Sequence, residues 1–548
     1  MIRKKQLCAV AGAAALAASL AACGGTPPKS DQSSGPVTVD FSTGDPAADT
    51  SKEWTLGTTD AITALDPAGA YDVGSWNLQY EMFQQLMMVP ANQTDPQPDA
   101  AKSCTYTDPK TVKCVLNAGL TFSNGDPLTS SDVKYSFERN IAINDPNGAA
   151  ILLGAITDSS NADHPKLAKG AIDTPDDTTI VFHLNAPDQT FMKVLATPPA
   201  SIVDEDVYPA TKELPDSQPQ IGSGPYTLTQ YKDGQQAVFV KNAKYHGSHP
   251  GLAPKIFVSF YKDDSSLTSD MQSGAVDVAW RSMSPTELQT LAKAGTSVLQ
   301  GKGSEFRYWV FDMNEGVGKQ APVRQAVANI IDRDAIAADA YDGTVKPSYS
   351  IVPPGFGGQK DSFKSAYPKP DVAKAKQILS DAGIKTPIPI KLAYPQEHYG
   401  PNAVDEANEL AQQLNDSGLF KATTATGEWE QYQTDYKKDA YDLYLLGWYP
   451  DFLDADNYLT PFVKDGGFFA NGYHSDAVDK LLAQEVAETN QSKRDQEIGE
   501  LQDLVAKDVP LIPSWNGLNV AVAGPGMGGV QSTLDPTYIF RFWMITKS

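Results

Sequence analysis

After Asp442 the chain runs Leu443-Tyr444-Leu445-Leu446, a short apolar stretch without charge, closed off by Gly447 and Pro450. That pattern predicts a buried strand rather than a helix. The residues that follow are of another kind. Gly447 lets a second backbone approach, Trp448 and Tyr449 offer flat amphipathic faces, Pro450 lacks a donor, and Asp451 sets a carboxylate at the strand's exit. They suit a recognition loop for a cationic group; a strand end with a packed Trp and a solvated Asp also accounts for them. Elsewhere, Trp54-Thr55-Leu56-Gly57 begins a strand, and Leu65-Asp66-Pro67 turns the segment after it. A helix is predicted through Tyr80–Met87, with Met82, Phe83 and Leu86 on one face. Asn124-Gly125 is a tight turn, and Thr129 with Asp132 forms a capping box for a helix that buries Val133, Phe137 and Ile141.

The first 22 residues read as a processing signal: Arg3-Lys4-Lys5 is basic, and Leu7 to Leu20 is Ala-rich and apolar. The signal ends in Leu20-Ala21-Ala22-Cys23-Gly24, which resembles the lipobox of bacterial lipoproteins and makes Cys23 the expected lipid anchor. Residues 23–50 turn to Gly, Pro, Ser, Asp and Thr, as a flexible tether would. With Cys8 lost and Cys23 lipidated, Cys104 and Cys114 are left as a pair flanking two short strands around Asp108-Pro109. A disulfide across this hairpin is expected in an exported protein, with two free buried thiols as the alternative.

At 548 residues and 41% hydrophobic, the chain has material for roughly three domain-sized units. Its net charge of −23 argues against nucleic acid as a partner. Catalytic chemistry is not in view. Of the six histidines only His246 and His249 are close in sequence, and Pro250 after them fits no metal-binding helix, so no metal and no cofactor are expected. No Gly-x-Ser-x-Gly elbow occurs. Gly524-Pro525-Gly526-Met527-Gly528-Gly529 matches a dinucleotide fingerprint literally, but Pro525 occupies the turn and no credible helix follows. An extracellular hydrolase, the remaining class outside transport, therefore lacks its residues.

Several stretches, in order, resemble landmarks of the extracellular solute-binding proteins of family 5, which serve peptide and nickel ABC importers. They are Gly119–Arg139; Ile221-Gly222-Ser223-Gly224-Pro225-Tyr226 with Lys241–Tyr245; Gly274-Ala275-Val276-Asp277; Met313-Asn314 with Val323–Ala326 and Ile331-Asp332-Arg333; Tyr441–Asp451; and Val509–Pro513. The resemblance implies an α/β, two-lobed periplasmic-binding-protein-like fold of the larger class, with an extra subdomain and a ligand cleft between the lobes. Lobe I is expected from 51–91, 216–302 and 511–548, its subdomain from 92–215, and lobe II from 303–510. Asp332 is placed to cap the helix beginning at Arg333.

The resemblance also implies a binding site. Asp451 stands where peptide binders of the family pair an Asp with the ligand's α-amino group, behind Trp448. Gly447 and Tyr449 are placed to bond a peptide main chain as an added strand. Trp429 matches an aromatic that lines side-chain pockets, and His398 is a further cleft candidate. Two arginines of well-known oligopeptide binders fall on Tyr436 and Leu445. The ammonium, rather than the far carboxylate, is thus the charge expected to be recognised, unless a Lys or Arg unseen in sequence reaches that end. The expected role is an extracytoplasmic, lipid-anchored, monomeric binding protein that delivers short peptides to an importer permease. An oligosaccharide or a metal chelate is the alternative solute.

Overall fold

The structure, a computed structural model, describes residues 52–160, 164–281, 283–396, 398–469 and 471–548. The signal, Cys23 and the tether lie outside the described residues. Strand Trp54–Thr58 sits in the middle of a seven-stranded sheet. The sheet's order is Tyr226–Lys232, Gln236–Lys241, Lys255–Phe260, Trp54–Thr58, Val278–Trp280, Asn519–Ala523, Ser297–Gly301. It runs parallel to both neighbours, with Trp54 and Leu56 buried on one face and Gly57 packed against Leu267 and Val276 on the other, so both faces are covered.

The helix expected at Tyr80–Met87 lies earlier, at Val73–Met82, capped by the side chain of Asp72 accepting from the Ser75 N–H. The reason is backbone pairing. The carbonyls of Gln84, Gln85 and Leu86 accept from Ile202, Ala100 and Asp99, which takes those residues out of any helix. Met82, Phe83 and Leu86 are buried all the same. Gly222 and Gly224 close against this helix end: a Cβ on Gly222 would lie 2.1 Å from the Met82 carbonyl oxygen.

A four-stranded sheet orders Ala101–Asp108, Thr111–Leu116, Thr179–His183 and Ile172–Asp176. Cys104 faces Cys114 across its first hairpin, and the two are joined as a disulfide. Helix Ser130–Ile143 covers this sheet. Its Thr129–Asp132 capping box forms as expected, and Val133, Phe137 and Ile141 are buried.

The second large sheet orders Lys346–Pro347, Leu511–Asn516, Phe306–Phe311, Leu443–Trp448, Ile388–Pro395 and Phe420–Gly427. Phe306–Phe311 is buried throughout. The strand expected at Leu443 does form, but it extends through Gly447 and Trp448, because both continue the ladder opposite Arg307 and Phe306. The Asp332 side chain caps the helix at Arg333, accepting from the Asp334 and Ala335 N–H groups.

Two stretches cross between the large sheets, one after Gly301 and one after Asn516. They touch at Gly303 and Gly517. A Cβ on Gly303 would lie 2.2 Å from the Gly517 carbonyl, so a side chain there would push the crossings apart. One boundary needs correcting. Leu511–Asn516 pairs with Phe306–Phe311 and buries Leu511, Ile512 and Trp515 in the second sheet's core, so the return to the first body follows Asn516 rather than beginning at 511. Among the described residues no helix is long and apolar enough to cross a membrane.

Candidate functional site

Asp451 leaves the Leu443–Trp448 strand into a loop and is 9% exposed. Its Oδ2 accepts from Asn457 Nδ2 at 2.8 Å and from the Tyr71 hydroxyl at 2.9 Å. Tyr71 precedes the Val73–Met82 helix and stacks on Trp76, so its bond to Asp451 joins the body of the first sheet to that of the second. No cation pairs with Asp451 among the described residues. Burial pushes its pKa from 3.8 up to about 6, and the hydrogen bonds from Asn457 and Tyr71 hold it back from rising further.

Asn457 organises the loop. Its Oδ1 accepts from the Asp451 N–H at 2.9 Å and from Trp448 Nε1 at 3.1 Å, while its Nδ2 serves the carboxylate. Trp448 then meets Phe462 edge-on at 5.3 Å and the exposed Phe468 at 5.9 Å. Tyr449 turns the other way, packing on Tyr538 at 4.8 Å beneath the Arg281 guanidinium, also at 4.8 Å. Arg281 is itself held by Asp60 through Nε.

A second cluster lies beside Gly447. Arg307, opposite Gly447 on the adjacent strand, places Nη1 where a Gly447 Cβ would fall, 2.0 Å away. Tyr399 covers the guanidinium at 3.9 Å, and Trp515 lies 4.9 Å from it. Beyond Tyr399, His398 stacks flat on Trp429, centroids 3.7 Å apart. His398 keeps an exposed face; desolvation by its neighbours, then the positive charges of Arg307 and Arg281, lowers its pKa.

The structure thus keeps Gly447 and Trp448 at the end of a strand and Tyr449 and Asp451 in the loop that follows it, and links Trp429 and His398 to Gly447 through Tyr399. Tyr436 and Leu445 face the core, where Tyr436 stacks on Tyr444 and Leu445 is fully buried. Asp465, His474 and Asp479 converge at the surface, where Asp465 accepts from His474 at 3.1 Å. Their exposure and mutual pairing supply no desolvated ligand set. Sequence reasoning missed Tyr71, Asn457, Tyr399 and Arg307. Only Arg307 carried a signal, as a charge inside the apolar run Phe306–Phe311.

Two large sheets are thus joined by two glycine-lined crossings, with a buried carboxylate of one body bonded to a hydroxyl of the other. Residues 95–470 match the model of the bacterial extracellular solute-binding proteins, family 5 (middle). The chain belongs to that family. It is 24% identical over 489 residues to the oligopeptide-binding protein OppA of Bacillus subtilis, covering 85% of this chain and 88% of the relative. It is 26% identical over 500 residues to heme-binding protein A of Haemophilus influenzae, covering 87% and 89%. Haemophilus influenzae OppA, solved in complex with the peptide RPPGFSPFR, superposes with a TM-score of 0.75 at 19% identity, covering 91% of this chain and 100% of that one. The two-lobed binding-protein fold is therefore shared.

Proposed function

We propose that this protein is the extracytoplasmic substrate-binding component of an ABC importer, taking short peptides into the cleft between its two large sheets and presenting them to a membrane permease. One observation carries the reading: Asp451 is buried, meets no cation among the described residues and is raised to a pKa of about 6. A ligand ammonium supplies that missing charge, and a charge-assisted hydrogen bond in a desolvated site is among the stronger recognition contacts. Gly447 and Tyr449 present main chain along the exit of a strand, where an extended peptide adds without regard to its side chains. Trp448, Trp429 and His398 give flat walls for those side chains. Binding is the whole role, with no catalytic step, and one copy of the chain suffices. Lipid on Cys23 holds the protein at the outer face of the cell membrane.

A second reading has one observation in its favour. The heme-binding relative is as similar in sequence as the peptide-binding ones, which keeps a metal chelate in play as solute. Mass spectrometry of small molecules released from the purified protein on denaturation separates the two. Short peptides are expected; a chelate or a sugar in their place overturns the peptide reading.

A further inference from the structure

Buried arginines in this fold differ in how far they are closed off: Arg333 and Arg541 each leave one guanidinium nitrogen without an acceptor among the described residues, and others leave none. Arg139 forks onto Asp66 with bonds of 2.9 and 2.6 Å. Arg324 spends Nε, Nη1 and Nη2 on the carbonyls of Gly318, Lys319, Asp508 and Val509. Arg307 leaves two such nitrogens. It is 2% exposed, yet only Nη2 is engaged, at 2.5 Å from Glu305 Oε1, while Nε and Nη1 meet no acceptor among the described residues. Leaving two donors of a buried cation unmade opposes folding unless something accepts from them. Position shows where the acceptor belongs. Nη1 lies over Gly447, in space that any other residue's Cβ would fill, on the strand that leads to Asp451. The cover is aromatic rather than polar: Tyr399 on the guanidinium, with His398 and Trp429 next outward.

We propose that Arg307 binds a carboxylate of the ligand through Nε and Nη1, so that the cleft recognises a zwitterion, anion at Arg307 and ammonium at Asp451. A guanidinium fork matches a carboxylate in two parallel hydrogen bonds, and Glu305, fixing Nη2, orients it. The positions where oligopeptide binders carry arginines hold Tyr436 and Leu445, both in the core; here the cation comes from the neighbouring strand instead. The carboxylate is the peptide's own C-terminus or an acidic side chain, and this inference rests on the peptide reading above.

The test is calorimetric titration of wild type and Arg307→Gln with trialanine, its C-terminal amide, and the amides of Ala-Glu-Ala and Ala-Gln-Ala. Wild type is expected to prefer the carboxylate-bearing member of at least one pair by about tenfold or more, and Arg307→Gln to bring that pair within about twofold. A pair preference that survives in Arg307→Gln, or no preference in wild type, overturns the assignment while peptide binding persists. Failure of the peptide reading looks different: wild type then binds none of the four, and the inference falls with it. Should Arg307→Gln not fold, Arg307→Lys replaces it, since loss of the fork reduces the preference at least about threefold.

Discussion

Asp451 is a carboxylate whose ionisation the fold opposes, and in the proposed function a ligand ammonium restores the balance. In the folded chain it titrates at about 6 rather than 3.8, because burial outweighs the bonds from Asn457 and Tyr71. Between those two values the folded protein holds a proton that the unfolded chain has released. Its effect on stability is therefore absent below the lower value, grows unfavourable as the pH rises through the window, and is complete above about 6. Asp451→Asn, which keeps the shape and removes the charge, is expected to stabilise the ligand-free protein at pH 7.5 by up to about 3 kcal/mol. That gain should shrink as the pH is lowered towards 4. Urea unfolding across that range checks it, and a gain independent of pH would place the charge effect elsewhere. The same titration acts on binding. Wild-type affinity for a free-amine peptide should fall about tenfold from pH 7 to pH 5, since the ligand's ammonium is charged at both and Asp451 is not.

The loop from Trp448 to Tyr458 depends on one amide side chain. Asn457→Ala removes the acceptor of two donors, Trp448 Nε1 and the Asp451 N–H, and the donor that steadies Oδ2. An expected loss of about 1–3 kcal/mol in stability follows from stranding buried groups, with about a tenfold loss in peptide affinity. Thermal unfolding and calorimetry read the two effects; an unchanged affinity would mean that the loop's geometry does not serve the ligand. At this scale the sequence was legible where local chemistry decides. The Thr129–Asp132 box, the Asp332 cap and the apolar run at Leu443 each act within a few residues, and each forms. The helix expected at Tyr80 shifted because long-range pairing with Asp99, Ala100 and Ile202 claimed the backbone after Met82. The candidate site was legible in part. Gly447, Trp448, Tyr449 and Asp451 share one stretch of chain, whereas Tyr71 and Arg307 join them only through folding, across separations that no local pattern encodes.

For the whole molecule, the crossings at Gly303 and Gly517 connect the two large sheets, and Tyr71 from the first body bonds Asp451 from the second. Attachment to the cell is a separate matter, and Cys23 is the anchor proposed for it. Cys23→Ser is expected to move the protein from the membrane fraction to the soluble fraction, and continued sedimentation with membranes would contradict a lipid anchor. The central claim is that a peptide's ammonium completes Asp451. The most direct measurement is a calorimetric comparison of one copurifying peptide, free and N-acetylated, on wild type and Asp451→Asn. Acetylation should weaken binding to wild type by on the order of 2–4 kcal/mol, and by much less in the variant, where no buried charge is left without a partner. Equal losses in the two proteins, or no loss in either, would contradict the account.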